Sequence, residues 1–237
     1  MKGARELACD ALISIEQGAM SHIVIRETLD GAESLDARDK RLFTNLVRGS
    51  LERQLYLDAV IDGSSSHPVK KQKPFIRALL RMSVYQIIFL DSIPDSAAVN
   101  EAVKLAGRRG FRGLSGFVNG VLRAVARKKD YQPESLSVKY SVPEWLLSLW
   151  EKDYGTQKTL EMLEGFYGPG RLWARFNKSL APEADIIGLL SADCVSATVS
   201  GACPDAYMLS GCGSVESLSA FKKGLIQIQD VSSIRAL

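Results

Sequence analysis

The stretch from Phe75 to Lys129, FIRALLRMSVYQIIFLDSIPDSAAVNEAVKLAGRRGFRGLSGFVNGVLRAVARKK, reads as three successive helices around which the rest of the chain can be arranged. Phe75, Ile76, Leu79, Leu80, Met82, Val84, Ile87, Ile88 and Phe89 leave the first without a polar face, which in a water-soluble chain predicts a central helix packed on most sides. Pro94 stops it, and Asp95 or Ser96 is suited to capping the next. In that second helix Val99, Ala102, Val103 and Ala106 recur on one side of a 3.6-residue turn. Gly107, Gly110, Gly113 and Gly116 predict a flexible connection, after which Phe117, Val118, Val121, Leu122 and Val125 form the inward stripe of a third helix.

The same stretch carries a one-sided charge. Between Glu101 and Lys129 lie Lys104, Arg108, Arg109, Arg112, Arg123, Arg127, Lys128 and Lys129, with no acid after Glu101. A solvated face usually mixes both signs, so this block suggests a polyanionic partner. On charge alone an ordinary basic surface explains it equally well. The short arginine-glycine segment between the helices favours nucleic acid, since such a segment can follow a phosphate backbone. Lys104, Arg108, Arg109, Arg112, Arg123 and Arg127 are therefore the candidate RNA-binding residues.

Composition bounds the remainder. The 237 residues, 46% hydrophobic and 24% charged, suit one large or two small globular domains. A net charge of +3 conceals an uneven distribution: residues 68–130 hold 13 basic and 4 acidic side chains, whereas the flanking segments are slightly acidic. Cys9, Cys194, Cys203 and Cys212 show no paired spacing, so neither a metal site nor a disulfide framework is expected. No stretch resembles a signal peptide or reaches membrane-spanning length, and a cytoplasmic protein with no membrane partner is expected.

Upstream, Ala4, Leu7, Ala8, Ala11, Leu12 and Ile15 make one helical stripe ended by Gly18. Helices follow at His22–Leu29, after Ser34–Asp36, and around Tyr56–Ile61. Lys70, Lys71 and Lys73 lead into the central helix. No strand alternation appears before residue 130, so residues 1–130 are expected to be an all-helical domain. Tyr131–Pro143 reads as a linker, and Ser141-Val142-Pro143-Glu144 has capping-box spacing for a helix bearing Trp145, Leu146, Leu149 and Trp150. A second helix runs to about Phe166, broken by Gly168-Pro169-Gly170. Residues 144–237 are then expected to combine this helical hairpin with a β-α-β-β-α-β unit, the order of a ferredoxin-like fold, whose sheet can present an open face to RNA. The fold class is thus mainly α, with a small α+β subdomain.

LRMSVYQIIFLDSIPDSAAVNEAVKLA followed by GFVNGVLR closely resembles the NusB family of small helical RNA-binding domains, and DARDKRLFTNLVRGSLERQLYLDAVI looks like its upstream segment. YSVPEWLLSLWEKDYG, LWARFNKS and FKKGLIQIQDVSS are similar to the region that joins such a domain to the catalytic domain of RsmB/Sun-type ribosomal RNA (cytosine-C5) methyltransferases. The resemblance covers nearly the whole chain. It implies an RNA-binding N-terminal region that recruits small-subunit rRNA for a C-terminal methyltransferase domain expected to be missing after Leu237. It also implies dependence of the full-length family member on S-adenosylmethionine, with no cofactor held by this chain. The alternative is a NusB-like transcription antitermination or ribosome-assembly factor, acting as a binding module.

Cytosine-C5 methylation needs a cysteine thiolate to attack C6. The resemblance places the catalytic and helper cysteines in Thr-Cys and Pro-Cys dipeptides. Here the cysteines follow Ala8, Asp193, Ala202 and Gly211, so no catalytic residue is assigned. Gly211-Cys212-Gly213 with Asp230 imitates a nucleotide-binding fingerprint, but a turn within the ferredoxin-like unit explains it better. His22 and His67 are expected at the surface, Asn119 to hydrogen-bond a neighbouring loop, and Trp145, Trp150 and Trp173 to lie in cores.

Overall fold

The computed structural model describes residues 2–32, 34–168 and 170–236; Met1, Glu33 and Leu237 lie outside the described residues, as does Pro169 of the expected Gly168-Pro169-Gly170 break. Two compact units divide the chain, Met1–Gly165 and Phe166–Leu237.

The first unit opens with α1 (Ala4–Glu16), whose stripe of Ala4, Ala8, Cys9, Ala11 and Leu12 is buried. α2 (Ser21–Gly31) follows, then α3 (Ala37–Glu52). Asp36 caps α3 by accepting the Asp39 backbone N–H at 2.7 Å, a contact worth about 1 kcal/mol. α3 buries Phe43, Leu46 and Val47, and α4 (Gln54–Ser64) buries Leu57, Val60 and Ile61.

α5 (Pro74–Phe89) is the central helix, touched by α1, α3 and α4 and by the two helices that follow, α6 (Asp95–Arg108) and α7 (Ser115–Arg127). Leu79, Leu80, Met82 and Val84 have no exposed surface. Each such side chain contributes roughly 1.5–3 kcal/mol by leaving water. α5 nevertheless has a polar seam that its apolar composition hid: Arg77, Arg81 and Tyr85 recur every four residues on its half-exposed side. Arg81 grips Asp58 of α4 at 2.7 and 2.8 Å, and both Arg77 and Arg81 bond Glu16 of α1. On this same side the backbone of α3 comes close, because Gly49 leaves room for the Tyr85 ring that any β-carbon there would strike.

Two expected caps are corrected. α6 begins at Asp95 with Pro94 in the cap position and no side-chain cap, and the Asp95 carboxylate instead pairs with Lys129 at 2.7 Å. Ser141 does not cap the helix it precedes. Its backbone is left-handed (φ 51°), and its Oγ accepts the backbone N–H of Tyr56 at 3.1 Å. Tyr56 lies in the first turn of α4, where N–H groups lack intrahelical partners, so Ser141 caps α4 from 85 residues away.

The expected linker is therefore partly structured. It holds α8 (Leu136–Tyr140), which packs on α4, and Tyr131 sets its ring edge-on to Tyr56 at 5.7 Å. α9 (Glu144–Tyr154) and α10 (Thr156–Gly165) pack on each other and group by compactness with the helical unit. Trp145, expected in a core, is 69% exposed on α9, because Leu147 takes the buried position of that helix.

The second unit contains β1 (Leu172–Phe176), α11 (Glu183–Ala192), β2 (Ser196–Ser200), β3 (Cys203–Ser210), α12 (Ser219–Lys222), β4 (Ile226–Ile228) and α13 (Val231–Arg235). Its antiparallel sheet has the order β2-β3-β1-β4, so the expected β-α-β-β-α-β order folds as a ferredoxin-like unit. Ala174, Phe176, Tyr207 and Leu209 face a core with Ile186 and Leu190 of α11. The opposite face is not fully open: Val231 and Ile234 of α13 pack there with Trp173, Cys203 and Ala206. Asp193 closes the layer by accepting the Ser219 N–H at 2.6 Å at the start of α12.

Candidate nucleic-acid interface

The six basic candidates fall into three environments. α6 buries Val99, Ala102, Leu105 and Ala106, which turns Lys104 and Arg108 outward over its last turns. Arg112 opens a 3-10 turn, Arg112–Leu114. Lys104, Arg108 and Arg112 together line a shallow depression above Val103, Gly107 and Ser115. Lys104 pairs with Glu101 at 3.0 Å, an exposed contact of little energetic weight. Arg108 and Arg112 are exposed and make no ion pair with the described residues. The connection is tighter than its glycines suggested: only Gly110 has a positive φ (82°), and a helical turn fills the rest.

Arg109 points elsewhere. Its guanidinium bonds Asp10 at 2.7 and 3.1 Å and Glu6 at 3.1 Å, and lies 5.1 Å from the centre of the Phe75 ring. Partial burial alone would raise the Asp10 pKa, but bonds from Arg109 and Lys2 outweigh it and hold the carboxyl below its usual range. Arg109 thus belongs to the fold rather than to the flexible connection expected around Gly107–Gly116: it ties the end of α6 to α1.

Arg123 and Arg127 are one turn apart on the exposed side of α7. They line a second depression beside Asp95, Ser96 and Asn100 at the start of α6. The antiparallel α6–α7 pair thus carries two basic groups at opposite ends, roughly 10–15 Å apart at 1.5 Å per residue.

A third feature escaped the sequence. A cavity of about 280 Å³ lies between the α4–α5 connection, which supplies His67, Lys71, Gln72 and Lys73, and Leu114 and Phe117 at the start of α7. Its signal was the Lys70–Lys73 run, legible as charge but not as part of a concave site. His67 and His22 are both exposed, and Asn119 is half-buried with no hydrogen bond to the described residues.

The Gly211–Asp230 fingerprint does not fit a nucleotide. Gly211 has φ 82°, and a β-carbon there would lie 2.9 Å from the Cys194 carbonyl, so a tight turn requires this glycine. The Asp230 carboxylate caps α13, accepting from the Ser232 N–H at 2.9 Å and its hydroxyl at 2.6 Å. Among the cysteines, Cys9 and Cys203 are buried, and burial foremost pushes the Cys9 thiol pKa far up, which keeps it protonated.

No helix among the described residues is long and apolar enough to cross a membrane. The family model for NusB matches residues 2–127, and that for the RsmF/B-like methyltransferase ferredoxin-like domain matches residues 142–216. The probable ribosomal RNA small subunit methyltransferase B of Bacillus subtilis is 32% identical over 97% of this chain and 53% of its own length. The corresponding Synechocystis protein is also 32% identical, over 98% and 54%. The Escherichia coli ribosomal RNA small subunit methyltransferase B is 26% identical over 98% and 54%. The chain therefore spans about half the length of the curated relatives it matches. The crystal structure of PH0851 shares the fold, with a TM-score of 0.67 and 21% identity over 98% of this chain and 54% of that one. With one family match over residues 2–127, more than half of its length, and a second over residues 142–216, the chain belongs to the NusB family and joins a NusB domain to a ferredoxin-like domain of the RsmF/B methyltransferase type.

Proposed function

We propose that this chain is the RNA-recruiting N-terminal region of a ribosomal RNA (cytosine-C5) methyltransferase, holding small-subunit rRNA for methylation. The observation that carries the reading is the pair Arg108 and Arg112, exposed and without acidic partners among the described residues, at one end of the α6–α7 pair in a NusB domain. Guanidinium groups so placed bind phosphate oxygens bidentately and release condensed counterions. Such contacts fix the register of an RNA without reading its sequence. The relatives named as small-subunit rRNA methyltransferases supply the target class, and the ferredoxin-like match at 142–216 favours this reading over a NusB-like antitermination or assembly factor. The methyl transfer and its S-adenosylmethionine are assigned to no residue of this chain.

The test is the salt dependence of binding to a small-subunit rRNA transcript. Lys104→Ala, Arg108→Ala and Arg112→Ala are combined, and Arg109 is left in place because it ties α6 to α1. Loss of three contacts lowers the log–log slope by about two units, at roughly 0.7 per contact for single strands. A folded triple variant that keeps both wild-type affinity and wild-type slope overturns the reading.

A further inference from the structure

We propose that the cavity between the α4–α5 connection and the start of α7 is a pocket for one unpaired nucleobase bearing an exocyclic amine. This deepens the RNA-binding reading and rests on it.

The walls are suited to a flat ring. Phe117 meets His67 edge-on, with ring centres 5.7 Å apart, and Ile76 and Leu114 complete an apolar lining. At about 280 Å³ the space lies just below the roughly 300–1,000 Å³ range of drug-sized ligand pockets, which suits a single base and not a folded peptide. Aromatic and apolar walls take a base by stacking, the usual way a protein holds a splayed-out nucleotide.

The polar group is Gln72. It is 9% exposed, its Nε2 donates to the His67 carbonyl at 3.1 Å, and its buried Oε1 has no hydrogen-bond partner among the described residues. A buried acceptor left unpaired costs about 1–3 kcal/mol, so a donor reaching it is strongly selected. The torsion that turns a glutamine amide is soft, so a partial turn, which lengthens the Nε2 bond to the His67 carbonyl, brings Oε1 to a donor placed in the cavity. An amino group of a base is such a donor; the carbonyl that uracil carries where cytosine has its amine is not. The backbone of Gln72 is fixed independently, with its N–H on Val69 and its carbonyl accepting from Arg77 at 3.0 Å.

The rim is cationic. Lys71 and Lys73 are exposed at the mouth, with the Lys73 ammonium 5.6 Å from the centre of the Phe111 ring. Leu114 lines this cavity and Ser115 lines the Lys104–Arg108–Arg112 depression, so the two share one connection. A strand bound across that depression can turn one base into the pocket while Lys71 or Lys73 meets its phosphate.

The experiment compares fluorescently labelled cytidine and uridine RNA hexamers, which match in size and backbone charge, by anisotropy at low salt. The wild-type chain is expected to bind the cytidine hexamer about tenfold more tightly. Gln72→Leu, which removes the orphan acceptor at similar volume, is expected to bring the two within about twofold. In a ¹⁵N-labelled sample the Gln72 side-chain amide signals shift with the cytidine hexamer and not with the uridine one. Equal wild-type affinities, or a preference that survives Gln72→Leu, overturns the pocket while steep salt dependence leaves the RNA-binding reading standing. If neither hexamer nor a small-subunit rRNA transcript binds, both fall. Displacement of the Gln72 signals by an apolar peptide but by no RNA likewise overturns the pocket.

Discussion

Arg109 holds both carboxylate oxygens of Asp10, at 2.7 and 3.1 Å, and so joins the end of α6 to α1 across 99 residues of sequence. Its neighbour Arg108 touches no acid among the described residues. Adjacent arginines in one dipeptide thus have different jobs, one in folding and one at the surface.

Arg109→Ala is therefore expected to destabilise the bundle by about 1–2 kcal/mol, between the values for exposed and buried pairs, since Asp10 and Glu6 lose their shared partner. Arg108→Ala is expected to stay within about 0.5 kcal/mol of wild type. Urea midpoints of the two variants decide the matter, and equal midpoints would show that the Arg109 tie adds no stability.

Glu16 gives the fold an acid-sensitive joint. Hydrogen bonding from Arg77 foremost, opposed by partial burial and aided by the charges of Arg77 and Arg81, holds its carboxyl below the usual 4.5. The unfolded chain then binds the extra proton first as pH falls, so this contribution is complete above about pH 4.5 and is lost as pH drops through the depressed folded value. Glu16→Gln is expected to be less stable at neutral pH and to lose less on acidification. Parallel pH profiles for the two proteins would contradict this.

Gly49 is required by the Tyr85 ring rather than by backbone conformation. A Gly→Ala change in an exposed helix gains about 1 kcal/mol of propensity. At position 49 the new methyl group strikes the ring, and a net loss of about 1–3 kcal/mol is expected instead. In a Tyr85→Leu background the same change should be neutral or stabilising. A Gly49→Ala loss that persists there would place its cause elsewhere.

For the segment 131–143 we propose a tether rather than a free linker. Trypsin is expected to nick after Lys128 or Lys129, where the chain is exposed coil, while Ser141 on Tyr56 and α8 on α4 keep the pieces together. Elution of the N-terminal fragment by itself in gel filtration under native conditions would show that these contacts do not hold.

What the sequence revealed and what it hid follow from the range of the interactions involved. The strand order in the second unit was legible because alternation at Leu172–Phe176 and Ser196–Ser200 is local. The central helix was legible because its burial leaves a dense apolar record. Ser141 satisfies a local pattern by its spacing to Glu144, while its actual partner is a distant backbone N–H, that of Tyr56. Arg109 could not be told from Arg108 for the same reason: Asp10 is near only after folding. The Gln72 cavity draws on two connections more than forty residues apart, so no window along the chain contains it.

Cys9 lies at the α1 stripe with no exposed surface, whereas Cys194 is exposed in the second unit. A thiol-reactive dye added to the native protein therefore marks Cys194 promptly, and reaches Cys9 only in those moments when α1 leaves its seat. Cys203 is buried too, in the second unit, so peptide mapping separates the two slow sites. The slow phase at Cys9 becomes a clock for the breathing of the bundle, needing no engineered probe, and an RNA that clamps the first unit should slow that clock without touching Cys194 or Cys203.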